Sequence, residues 1–133
     1  MAQQYRSEIL ERTLKTLHIA VDGVKAAVIV NTDGLLVAAY PPGNDENPYE
    51  NPTSSPQVAA MSATLIGLAE RTLGRLAQGE LERLLMEGES GVMVVYPAGR
   101  ASLAVLAEKG ARLSHVLFAA KKAAAEVADI LGR

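Results

Sequence analysis

The stretch Val24-Lys25-Ala26-Ala27-Val28-Ile29-Val30-Asn31-Thr32-Asp33-Gly34-Leu35-Leu36-Val37-Ala38 decides the fold. Ala26 to Val30 is a short unbroken apolar run, which reads as a strand covered on both faces rather than an alternating surface strand. Asn31-Thr32-Asp33-Gly34 follows as a tight turn, because Gly34 can take the positive φ that such a hairpin commonly requires, and Leu35 to Tyr40 returns as the second strand. A sheet that begins this way is antiparallel and needs cover on both sides.

The flanking sequence supplies that cover. From Arg6 to Val21, Ile9, Leu10, Thr13, Leu14, Leu17 and Val21 recur at helical spacing, with Glu8, Glu11, Arg12 and Lys15 elsewhere on the wheel, and Asp22-Gly23 breaks the pattern. Pro41 to Pro56 holds five of the six prolines among Asn, Ser and acids, so it reads as a long loop, either functional or a tolerated insertion. Ser55 as N-cap and Pro56 at the first helical position open a second helix that should reach about Gln78, with Gly79 to end it. One side of that helix carries Val58, Met61, Leu65, Leu68 and Leu76, the expected inward stripe. The opposite side carries Ala59, Ala63, Gly67, Glu70, Gly74 and Ala77, flanked by Ile66 and Leu73, and its small side chains would let another helix or a partner approach.

Glu80 to Glu87 has helix propensity and is ambiguous by pattern. Val92 to Tyr96, the turn Pro97-Ala98-Gly99-Arg100 and Ala101 to Ala107 make a hairpin of two central strands. A last helix from about Ala111 to Leu131 places Leu113, Leu117, Ala120, Ala124, Val127 and Leu131 on one stripe. The order is helix, two strands, helix, two or three strands, helix, which gives a three-layer sandwich.

Composition narrows the function. The 133 residues fit one domain, 1–133, and with 49% hydrophobic but 4% aromatic residues its core must be built of Ala, Val, Leu and Ile. The absence of cysteine excludes disulfides, thiolate metal sites and a cysteine nucleophile, and suits a cytoplasmic location. A formal charge of −2, with Lys and Arg scattered among acids, gives no reason to expect nucleic acid as a partner. Met1 to Arg12 lacks the apolar core of a secretion signal, and the uncharged run Asn51 to Ala69 contains two prolines, so no membrane insertion is expected.

With these elements placed, the chain resembles the roadblock family, also called the dynein light chain roadblock family, and especially its bacterial MglB-type members. The resemblance spans nearly the whole chain and rests on the Val24 to Ala38 hairpin, the Ala-rich and Gly-rich second helix, and Leu81 to Glu108 as a closing three-stranded meander. It implies an α/β (α+β) three-layer sandwich of roadblock/profilin-like type, with a five-stranded antiparallel sheet, one long helix on one face and two on the other. It implies that Leu81 to Glu87 is the third strand, and that its free edge pairs with a second copy in a homodimer. The expected dimer interface is Ala59, Ala63, Gly67, Gly74, Ala77, Leu81, Arg83 and Leu85, and the expected partner-binding residues are Ile66, Glu70, Arg71 and Leu73. The family's members resemble adaptors for Ras-like small GTPases, and MglB-type dimers act as GTPase-activating proteins by positioning the GTPase's own residues. The alternatives are a structural adaptor in a larger assembly, or a sensor whose sandwich encloses a small ligand.

No catalytic signature competes with this reading. There is no Gly-rich phosphate loop, so no nucleotide or other cofactor is expected. His18 and His115 lack metal-ligand spacing, and Ser114-His115 are helix neighbours pointing about 100° apart, a poor nucleophile and base. Arg71, Arg75 and Arg100 are the candidates for an arginine inserted into a partner's nucleotide site, against the plainer reading of solvated surface residues.

Overall fold

The computed structural model describes residues 2–42 and 56–132. Most of the proline-rich loop and the Ser55 cap lie outside the described residues. Helix α1 (Ala2–Ala20) leads into strands β1 (Val24–Asn31) and β2 (Leu36–Tyr40), helix α2 (Pro56–Arg75), strands β3 (Leu84–Glu87), β4 (Gly91–Ala98) and β5 (Ala101–Glu108), and helix α3 (Leu113–Leu131). The five strands form one antiparallel sheet in the order β2-β1-β5-β4-β3. Helices α1 and α3 lie together on one face and α2 lies alone on the other, the expected α+β sandwich.

The hairpin that decides the fold closes as its residues require. Asn31 Oδ1 accepts from the backbone N–H groups of Asp33 and Leu35 at 2.9 and 3.0 Å, and Gly34 sits at φ +84°. Strand β1 is central, and every side chain from Ala26 to Val30 is buried: Ala27 and Ile29 under α1 and α3, Val28 and Val30 under α2. On the two-helix face, Leu10, Leu14 and Leu17 of α1 and Val116, Ala120, Ala123 and Val127 of α3 interlock over Val94, Leu103 and Val105. The Tyr96 hydroxyl donates to the Leu117 carbonyl at 3.2 Å, which satisfies the polar tip of this buried aromatic side chain.

Strand β3 forms against local propensity. Leu84 to Glu87 pair with Val95 to Val92, and the alternation this imposes turns Leu84 toward α2. A helix cannot continue into it from α2, because the chain turns at Ala77, which adopts φ +56°. The Gln78 and Ala77 N–H groups there donate to the Leu73 and Gly74 carbonyls at 2.9 and 3.1 Å, a Schellman ending. The helix therefore stops ahead of the expected Gln78–Gly79 boundary, and Ala77 holds the left-handed position of that ending, with Gly79 at φ +88° two residues beyond it.

Candidate functional site

The described surface that stands out is built from α2 and β3. At its start α2 lies close on the β1–β2 hairpin, where a Cβ added to Gly34 would come within 3.3 Å of the Ala60 Cα. Ala59, Ser62 and Ile66 are the buried residues of the helix, and Ala59 and Ile66 pack on Val28, Val30, Val95 and Ala104, with Ala63 half-buried beside them. Small side chains are what allow the helix to seat this low on a sheet.

The expected sidedness of α2 is thereby reversed. The stripe read as inward faces water at its most apolar positions, with Met61 59%, Leu68 54% and Leu76 61% exposed. The small-residue side read as outward meets the chain's own sheet. Ala59, expected at a dimer interface, and Ile66, expected to touch a partner, are core residues with no surface to offer. The physical reason is that both sides of α2 are apolar, and the valine-rich sheet face selects the side whose backbone can come nearest.

Helix α2 also outruns its cover. Glu70, Gly74 and Ala77 continue the Ala59–Ala63–Ile66 side by helical spacing, yet all three are exposed. Leu73 and Gly67 are half-buried, Arg71 is exposed, and a Cβ at Gly67 or Gly74 would meet nothing within 4 Å. The cross-strand row Met86–Met93–Leu106 lies on the same sheet face, one pleat beyond the row Leu84–Val95–Ala104 that α2 covers. These three side chains are only half-buried, and with Lys25 and Gly91 they line a shallow surface depression. Beside them runs the outer edge of β3, paired with β4 alone, with Arg83 and Leu85 exposed and Leu81 half-buried against the core under α2. An unpaired edge, an uncovered apolar row and an exposed helix end thus belong to the same, one-helix side of the molecule.

The outward side of α2 is kept apolar by its polar neighbours as well. Thr64 and Thr72 donate their hydroxyls to the Ala60 and Leu68 carbonyls of their own helix, at 2.9 and 2.8 Å, so methyl groups rather than free hydroxyls accompany Met61, Leu65, Leu68 and Leu76. Arg71 and Arg75 share an exposed side of this helix, four residues apart. Arg100 does not join them; it lies in the β4–β5 turn, where its N–H donates to the Gly132 carbonyl at 3.1 Å. His18 packs edge-on against Tyr40 with ring centroids 5.2 Å apart, His115 is exposed, and no cluster of His, Cys, Asp or Glu among the described residues is suited to hold a metal. Sequence reasoning missed the outward stripe and the Met86–Met93–Leu106 row. The available signal was that α2 carries two apolar sides while a sheet can bury only one.

The comparisons agree with this architecture. The model of the Roadblock/LC7 domain family matches residues 13–107. An uncharacterized protein of Methanocaldococcus jannaschii is 32% identical over 119 residues, covering 90% of this chain and 93% of its own length. The Roadblock/LC7 domain of Streptomyces avermitilis superposes with a TM-score of 0.79 at 23% identity, over 91% of this chain and 96% of that one. The gliding protein MglB of Thermus thermophilus superposes with a TM-score of 0.79 at 19% identity, over 94% and 90%. With the family model spanning α1 to β5 and the same sandwich recurring in these structures, the chain belongs to the Roadblock/LC7 domain family.

Proposed function

We propose that this chain is a non-catalytic, cytoplasmic regulator or adaptor of a Ras-like small GTPase, acting as a homodimer. The observation that carries the reading is the conjunction on the one-helix side of the sheet of the free β3 edge, the half-buried Met86–Met93–Leu106 row and the exposed end of α2. A second copy related by a two-fold axis through paired β3 edges answers all three at once. Its β3 supplies the missing ladder partner, and its α2 overhang, through Glu70, Leu73, Gly74 and Ala77, lies over this copy's exposed row. Likeness of fold to MglB is consistent with a GTPase regulator.

Pairing of this kind leaves Met61, Leu65 and Leu68 of both copies outward on the same side of a continuous sheet. That is the surface on which a GTPase would dock, with Arg71 and Arg75 at its margin. Stimulation of GTP hydrolysis would then come from positioning the GTPase's own residues, since the chain offers no phosphate loop.

Two variants separate the parts of this reading. Met86→Asp places a charge in the expected subunit contact and should yield a monomer by sedimentation. Leu68→Glu combined with Arg71→Ala should leave the dimer intact and abolish capture of Ras-like GTPases from the same genome, loaded with a GTP analogue. A wild-type chain that sediments as a monomer at high concentration sinks the dimer. Unchanged GTPase capture and turnover with the double variant sinks the docking surface.

A further inference from the structure

The face opposite α2 carries a charge asymmetry that neither the dimer nor the GTPase reading uses. Strand β1 rises from Val24, paired with Ala107, to Asn31, paired with Ala101. Helix α1 therefore ends where α3 begins, and the two pack antiparallel across the sheet. This brings together two acid-free stretches far apart in sequence, residues 12–21 and residues 109–125. They contribute the exposed Arg12, Lys15, Lys109, Arg112 and Lys122 to one half of the outer layer, with the exposed Lys121 on its β4 side near Glu82, and the exposed acids Asp22 and Glu108 border the same half. The other half of the same layer carries the exposed acids Glu8, Glu11, Glu126 and Asp129, with Arg6 as an exposed cation among them.

Within the basic half stand two large apolar side chains that point away from the core: Ile19, 68% exposed, and Phe118, the chain's single phenylalanine, 75% exposed. On α3, Phe118 is flanked at helical spacing by His115 and Lys122; on α1, Ile19 is flanked by Lys15. Outward apolar side chains set in a field of Lys and Arg are the composition of a surface that rests on anionic headgroups with its apolar tips in the acyl boundary.

We infer that the basic half of the α1–α3 layer is a peripheral docking surface for an anionic lipid bilayer. No described helix is long and apolar enough to cross a membrane, so the contact is superficial. The acidic half tilts the molecule so that only the Ile19–Phe118 end touches. The inference stands on one copy alone. Pairing through β3 would set two such patches on one side of the extended sheet, opposite the α2 surface, and thereby raise avidity.

The test is flotation of the full chain with phosphatidylcholine vesicles, with and without about one quarter phosphatidylserine. Binding is expected only to the anionic vesicles, and it should fall roughly tenfold or more between about 0.05 M and about 0.5 M salt, where exposed charges are increasingly screened. Lys15→Glu with Lys122→Glu should reduce it on the order of tenfold or more. Phe118→Ser should reduce it severalfold at low salt, with the circular dichroism spectrum and the sedimentation behaviour unchanged. Absence of binding to anionic vesicles overturns the inference, as does equal binding to both vesicle types or indifference to both variants. Capture of soluble polyglutamate without vesicle binding overturns it in favour of an acidic protein partner. Because sedimentation and GTPase capture are read separately, failure here leaves the dimer and the GTPase docking surface to their own tests.

Discussion

The two faces of the sheet are finished to different degrees. The face under α1 and α3 is closed by two helices that interlock over Leu103, Val105 and Val94, whereas the face under α2 is closed only from Ala59 to Ile66 and open along Met86, Met93 and Leu106. One helix cannot cover a five-stranded sheet, since a helix is about 10 Å wide and five strands span roughly twice that. Stability is therefore concentrated on the two-helix side, and the sheet surface left open for a second chain on the one-helix side.

The contrast breaks most visibly when a leucine of each side is truncated. Leu14 is fully buried between α1 and the sheet, and Leu14→Ala should cost about 3 kcal/mol, a fall in Tm of roughly 10 °C at fixed protein concentration. Leu68→Ala, at the same residue type on the outward side of α2, should change the stability of the folded chain by no more than about 0.5 kcal/mol. Thermal denaturation of the two variants side by side is the measurement. Equal losses would mean that the outward side of α2 is as dry as the core.

The same contrast explains what was legible in the sequence. Helix α1 could be read correctly because its recurring apolar residues form a single stripe, with Ile19 alone off it at the helix end, so Leu10, Leu14 and Leu17 had one place to go. Helix α2 could not, because periodicity reports that a side is apolar and not which of two apolar sides a sheet accepts; close approach decided for Ala59 and Ile66 over Met61 and Leu68. Strand β3 was invisible to propensity, since its strand geometry comes from the partner residues Val92 to Val95, and only family resemblance pointed to it. The basic patch was hidden for another reason: its cations are scattered along the chain and gather only when α1 and α3 run antiparallel.

A second, smaller effect sharpens the comparison at the rim of the two-helix face. The β4–β5 turn is tied to the end of α3, where Gly132 N–H donates to the Ala128 carbonyl at 2.8 Å and its own carbonyl accepts from Arg100. Gly99 sits at φ +66°, and a Cβ there would collide with the Gly132 carbonyl oxygen. Gly99→Ala should destabilise by about 2 kcal/mol, combining backbone strain with displacement of the helix end. Urea denaturation should show a lower midpoint with an unchanged slope. A cost below about 0.5 kcal/mol would mean that the end of α3 yields freely and the latch contributes little.

The smallest expected effect lies on the open side, at the end of α2. Ala77 holds the left-handed position of the Schellman ending, a conformation that costs an L-residue about 1 kcal/mol and costs glycine almost nothing. Ala77→Gly relieves that strain but gives the unfolded chain more freedom, which offsets roughly half of the gain, so a net stabilisation of about 0.5 kcal/mol is expected. If Ala77 also lies against a second copy, its lost methyl weakens that contact. The variant should then be more stable as a dilute monomer and less tightly dimerised at high concentration, two shifts of opposite sign that denaturation at two protein concentrations can resolve. A gain that is the same at both concentrations would place Ala77 outside the subunit contact and limit its role to ending the helix.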